Sequence, residues 1–213
     1  MAKDVCIITE FRNGDFRRVT NEIACEGKRI ADALGTGLVA VSLGSGNSDK
    51  AADLGRFGVD KVYIADDAGL EYYLAETFVP VIAELIAKIN PAVILLPASI
   101  DGKDLAARLS SRLEVALLQD VIEIVVENGA KIKAKWPAFA GKCFAWAEWT
   151  AGEPPLLSIR PNIMQSRVVA EGRKAETEKV DLPIPAPRAS VVKYDLETSG
   201  KVELTEADII VSG

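Results

Sequence analysis

Histidine is absent from the 213 residues. That removes the commonest general base and metal ligand, so Ser-His-Asp and Cys-His nucleophilic schemes and histidine-based metal sites are excluded. Cysteine is sparse: Cys6, Cys25 and Cys143 are odd in number and far apart, without the paired spacing of a zinc site or a redox dithiol, and they read as buried free thiols. No Gly-Lys-Ser/Thr occurs, which excludes a P-loop. No excess of cationic residues is available to neutralise phosphates, with 25 Lys and Arg against 31 Asp and Glu and a net charge of −6, so nucleic acid is not expected as a partner. No apolar run approaches the roughly 20 residues that span a bilayer. The start, Met1-Ala2-Lys3-Asp4, has neither signal nor transit character, and the reading is a cytoplasmic protein with no membrane insertion.

What is there is a globular composition, 49% apolar and 26% charged, enough to bury a proper core. In the first half, short apolar runs alternate with longer segments of helical period, as in parallel strands covered by helices. Strands are expected over 5–8, 38–43, 61–64 and 92–96, the last continuously apolar as a central strand buried on both faces should be. The first helix is expected to open at Thr20 as N-cap and to close at Gly35 and Gly37. A short helix near 50–57 follows the second strand, and the next one carries Phe78, Ile82, Leu85, Ile86 and Ile89, with Pro80 in its first turn or at a kink. From Leu117 the period changes. Segments 118–126, 131–136, 140–149 and 156–160 read as strands turning at Asn128-Gly129 and Gly152-Glu153, an antiparallel extension of the sheet. The fold class is therefore α/β: a mostly parallel open sheet with helices on both faces, of the adenine-nucleotide-binding kind, plus a small antiparallel extension.

Beyond Pro161 the texture is charged and core-poor, and Pro183, Pro185 and Pro187 stiffen it. The expected organisation is an N-terminal α/β domain over 1–162, a linker or arm over 163–206, and over 207–213 the first strand of a C-terminal domain.

Three features are candidates for function. Gly44-Ser45-Gly46 could bring backbone amides to a phosphate, yet it lacks a third glycine and the acidic partner of a dinucleotide site, and a structural turn is its plainer meaning. Asp101, Lys103 and Asp104 lie at the carboxyl end of a central strand, where open α/β sheets bind ligands, although capping of the following helix by Asp101 explains the carboxylates as well. The aromatics concentrate in the antiparallel extension as Trp136, Phe139, Phe144, Trp146 and Trp149. Core packing is the default for most of them, but Trp146 and Trp149 fall on opposite strand faces, and one exposed indole would mark an interface.

Four stretches assemble into a family likeness: Leu96-Pro97-Ala98-Ser99-Ile100-Asp101-Gly102-Lys103-Asp104-Leu105-Ala106-Ala107-Arg108-Leu109 with Leu118-Gln119-Asp120-Val121; Pro137-Ala138-Phe139-Ala140-Gly141-Lys142; Leu157-Ser158-Ile159-Arg160-Pro161-Asn162; and Ala207-Asp208-Ile209-Ile210-Val211-Ser212-Gly213. In order and spacing the chain resembles the N-terminal region of electron transfer flavoprotein alpha subunits. The resemblance implies an α/β domain that pairs with a similarly folded beta subunit, in a parent protein that takes electrons from dehydrogenases through FAD and passes them to an acceptor oxidoreductase. It implies an electron carrier, not an enzyme. The family's flavin-binding residues lie after the strand resembling 207–212 and have no counterparts here, so no catalytic, cofactor-binding or metal residue is assigned and this chain alone is expected to bind no FAD. A lone apolar strand after a stiff linker has nothing to pair with, and truncation of a longer subunit is the expectation drawn from it. The alternative is a free-standing adenine-nucleotide-binding module that uses the 97–104 loop and the Gly44-Ser45-Gly46 turn for ribose and phosphate.

Overall fold

The computed structural model describes residues 3–128, 131–149, 153–193, 207 and 209–212. Strands β1 (Val5–Ile8), β4 (Leu38–Gly44), β5 (Lys61–Asp66) and β6 (Val93–Pro97) form where the apolar runs predict them. They join β7 (Leu117–Val121), β11 (Leu156–Ile159) and β12 (Glu176–Lys179) in a seven-stranded sheet of order β12-β5-β4-β1-β6-β11-β7, with every pairing parallel. β1, β4, β6 and β11 are buried at every position, and strand alternation divides their side chains between two cores. Ile7, Leu38, Leu95 and Leu157 face α1 (Arg18–Leu34); Ile8, Val41, Leu96 and Leu156 face α3 (Ala75–Ile89) and α4 (Ile100–Leu113).

The antiparallel extension is smaller than expected. Residues 156–159 and 117–121 belong to the parallel sheet, and the segment read as one strand over 118–126 is split at Ile122 between two sheets. Only β8 (Glu123–Glu127), β9 (Lys131–Ala138) and β10 (Cys143–Glu148) form the separate three-stranded sheet. Ile124, Ile132 and Ala134 pack it onto the same core as α1, and Arg29 of α1 donates to the Ile124 carbonyl at 2.6 Å. Gly129 and Gly152 of the expected turns lie outside the described residues.

Two helix starts differ from expectation. Thr20 lies inside α1, where its hydroxyl accepts from the Glu10 N–H at 2.9 Å and donates back to the Glu10 carbonyl. It ties the helix to a segment with no place in the expected fold, the hairpin of β2 (Phe11–Arg12) and β3 (Asp15–Phe16). Asp101 does not cap α4: Ser99 does, its Oγ accepting from Gly102 N–H at 3.0 Å. Gly102 itself is demanded by crowding, since a Cβ there would stand 2.0 Å from the Pro97 carbonyl oxygen. Pro80 is the sixth residue of α3, one turn later than its first-turn reading.

The stretch expected as a linker or arm lies against the body over 163–193. β12 pairs with β5 and covers what would be an open sheet edge. Ala175 reaches the α1 core, while Val180, Leu182 and Ile184 reach the α3 core. Gly55 permits this crossing, because a Cβ on it would meet the Ala175 nitrogen at 2.4 Å. In the stretch expected as the first strand of a C-terminal domain, Ala207 and 209–212 carry no regular structure, and Ile209, Ile210 and Val211 are exposed. A strand needs a neighbour for its N–H and C=O groups, and among the described residues these find none. The three cysteines are free, but only Cys6 is buried; Cys25 is half-buried and Cys143, on the edge strand β10, is exposed.

Candidate functional site

The crossover from β1 runs to β4 on one side, and the crossover from β5 returns to β6 on the other. The carboxyl ends of β1 and β6 therefore flank a topological switch point, where an open sheet leaves a crevice. A cavity of about 560 Å³ lies there. Thr9 and Glu10 enter it from the end of β1, Phe11 and Arg12 from the hairpin, Tyr73 and Phe78 from the α3 side, and Asp101 and Leu105 from α4. Burial pushes the Glu10 and Asp101 carboxyls above their usual range; the guanidinium groups of Arg12 and Arg17 oppose the shift in both.

Asp101, Lys103 and Asp104 are not a single cluster. Only Asp101 lines the cavity. Asp104 accepts from the Tyr73 hydroxyl at 2.7 Å and from Arg108 at 2.9 Å. These partners hold its carboxyl below the usual range against the opposing effect of burial. Lys103 turns to Asp120 at 3.2 Å, and Asp120 also pairs with Arg160 at 2.9 Å. Asp120 sits at φ 62°, a left-handed conformation that Asp tolerates, and its N–H donates to Ser158 Oγ. Two of the stretches that carry the family likeness, 96–121 and 157–162, are thus ion-paired to one another. The next residue but one, Asn162, donates its N–H to the buried Glu22 on α1 at 2.9 Å.

The Gly46 amide of the glycine turn is already engaged. Asp66, at the end of β5, accepts from the Gly46 N–H at 2.7 Å and from the Ser48 N–H at 3.4 Å. A carboxylate already occupies the place that a phosphate would take.

The aromatics divide as their strand faces require. Trp149 packs against the α1 core, whereas Phe144 and Trp146 are 56% and 47% exposed. Both rings stand on the outward face of β10, with the Lys135 ammonium 5.0 and 5.5 Å from their centroids. At the β9–β10 tip, Phe139 is 81% exposed and holds φ 50°, followed by Ala140 at 56° and Gly141 at 83°. Two non-glycine residues in left-handed backbone are an uphill arrangement presented to solvent.

The hairpin and Glu10 escaped the sequence reading, yet a signal was there. Asn13-Gly14, between Phe11-Arg12 and Asp15-Phe16, is the dipeptide of a tight two-residue hairpin turn, and both residues adopt positive φ, 54° and 76°.

Fold and cavity define an open, doubly wound α/β protein with a crevice at its switch point and an appended antiparallel sheet that exposes aromatic rings. The family model described as "Electron transfer flavoprotein domain" matches residues 5–185, and the chain belongs to that family. It is 35% identical over 214 residues to "Electron transfer flavoprotein subunit alpha" of Thermoanaerobacterium thermosaccharolyticum, covering 99% of this chain and 64% of that protein. It is 32% identical to "Protein FixB" of Clostridium saccharobutylicum, with 99% and 64% covered, and 31% identical to "Electron transfer flavoprotein subunit alpha" of Bacillus subtilis, with 100% and 64% covered. The chain spans 64% of the length of these curated relatives.

FAD, which the family implies, does not fit the switch-point cavity. The lining gives a pyrophosphate no excess of positive charge, with Glu10, Glu71 and Asp101 set against Arg12 and Lys193, and the Gly46 N–H is held by Asp66. Among the described residues, no helix is long and apolar enough to cross a membrane.

Proposed function

We propose that these residues form the scaffold and heterodimerisation part of an electron transfer flavoprotein alpha subunit. The FAD would be held by the portion of the relatives' length that this chain does not span. In this reading the assembled protein accepts electrons from dehydrogenases and delivers them to an acceptor oxidoreductase, while the present domain aligns the subunits. Protein that positions a flavin needs no general base of its own, which suits a chain without histidine.

The observation that carries the reading is the exposed aromatic face of β8–β10. Phe144 and Trp146 stand on it, and the shared stretch 137–142 forms its tip with Phe139 outermost. Aromatic residues with a cationic neighbour are the side chains that dominate protein interfaces. Trp149 packs inward, so the exposed indole on this side is Trp146.

Titration of the chain with a beta subunit tests this. The Phe144→Ala, Trp146→Ala double variant should weaken binding by about 100-fold, the loss expected for two central aromatic anchors, with the circular dichroism spectrum unchanged. Undiminished affinity would remove this face from the interface.

A further inference from the structure

The heterodimer reading makes no use of the cavity at the switch point, yet its walls define a ligand. Three features bear on the choice.

The first is an unmet acceptor. Glu10 Oε2 is buried and has no hydrogen-bond partner among the described residues, although the Ser99 hydroxyl lies beside the same carboxyl. Buried polar atoms are rarely left so, and an occupant bearing O–H or N–H donors would satisfy it. Asp101 supplies a second carboxylate to the same cavity.

The second is charge. Arg12 and Arg17 act on both carboxylates, two formal positive charges beside two negative ones, and Glu71 and Lys193 add one charge of each sign to the lining. A site whose charges cancel internally gives no net attraction to an ion. Phosphate is further disfavoured because Asp66 holds the Gly46 and Ser48 amides and Ser99 accepts from the Gly102 N–H at the start of α4.

The third is shape. Beside the polar Thr9, Asn13 and Ser45, the walls carry rings and branched side chains: Phe11, Tyr73 and Phe78, with Leu43 and Ile82. Tyr73 and Phe78 meet edge to face at 5.2 Å, and the Tyr73 hydroxyl is fixed on Asp104. Such walls accept a flat ring. The cavity volume of about 560 Å³ lies within the range of small-molecule sites.

We infer that the switch-point cavity binds an uncharged nucleoside-sized molecule, a flat heterocycle whose hydroxyl or amine donors reach Glu10 and Asp101, and that it discriminates against the phosphate ester of the same molecule. This departs from the nucleotide module considered on sequence grounds, because the turn assigned there to phosphate is already filled by Asp66. It stands independently of the heterodimer reading.

Isothermal titration of the 213-residue chain tests it, with adenosine and riboflavin as uncharged probes and AMP and FMN as their phosphate esters. Saturable binding of at least one uncharged probe is expected, with its ester at least 10-fold weaker. Glu10→Gln and Asp101→Asn, each checked for an unchanged melting temperature, should each weaken that binding at least 10-fold. The inference is overturned if neither uncharged probe binds, if an ester binds as tightly as its parent, or if both folded variants bind as well as the unaltered chain.

Discussion

The seven-stranded sheet and the three-stranded sheet meet solvent in opposite ways. In the first, β1, β4, β6 and β11 are buried on both faces, α1 lies on one side and α3 and α4 on the other, and β12 forms one edge beside β5. In the second, alternation is strict: Ile132 and Ala134 of β9 face the core, while Lys131, Lys133 and Lys135 face outward beside Phe144 and Trp146. The outer lysines are answered by Glu127, Glu148 and Glu123, but the rings of Phe144 and Trp146 stay about half exposed, with the Lys135 ammonium near both. The parallel body completes its own burial. The antiparallel sheet completes half of its burial and presents the other half.

If that contrast holds, truncating the two sheets should have very different costs. Leu95→Ala, in a fully buried central strand, should lose about 3 kcal/mol in urea denaturation. Phe144→Ala should stay within about 0.5 kcal/mol of the parent, as exposed positions do. Equal losses at the two sites would erase the distinction.

The arm belongs to the body in this picture. Gly55→Ala would drive a Cβ into the backbone of Lys174 and Ala175 and lift the crossing that leads into β12. A loss of about 2 kcal/mol is expected, together with faster tryptic cleavage at Arg173 and Lys174. An unchanged cleavage rate would show that the arm does not depend on this contact.

At the tip of the antiparallel sheet, Phe139→Gly should raise the stability of the isolated chain by about 1 kcal/mol, because glycine holds positive φ without the Cβ penalty. The same variant should bind a beta subunit more weakly. A decrease in stability would mean that the Phe139 ring packs better than its exposure indicates.

The smallest effect belongs to the junction of the two stretches within the body that carry the family likeness. Asp120→Asn keeps a side chain that tolerates left-handed backbone but loses the pairings to Lys103 and Arg160, at a cost below about 1 kcal/mol near pH 7. Burial acts to raise the Asp120 carboxyl, but Arg160 and Lys103 outweigh it and hold the folded-state pKa below the unfolded one. The contribution is therefore fully present above the unfolded value of roughly 4. It disappears as pH falls through the folded value. Parent and variant should converge in acid, and a gap that persists there would point to a cause other than charge.

Much of the body was legible because its physics is local. A continuously apolar run such as 93–97 declares a strand buried on both faces, and the period of 78–89 declares a helix laid over it. The family likeness rested on the 96–121 stretch, whose Gly102 and Asp120 answer a close backbone approach and a left-handed turn. Less of the site was legible. The antiparallel sheet was overdrawn because β7 and β11 are short and partly polar, and local period does not reveal which sheet a strand joins. β12, Glu-Thr-Glu-Lys, has no apolar pattern at all; pairing with β5 and the ion pairs of Lys61 with Glu176 and Glu178 make it a strand.

By itself the sequence determined the α/β class, the central strands, the helices that cover them, the absence of histidine chemistry and the family likeness. Each of these follows from residue type and short-range period. Only the tertiary structure decided that Asp66 fills the glycine turn, that Asp101 enters a cavity while Lys103 and Asp104 turn away, that Trp146 is outside and Trp149 inside, and that the proline-bearing arm is bound along the sheet. Those outcomes depend on which elements lie side by side, and that order is set by the burial of whole faces, not by any local pattern.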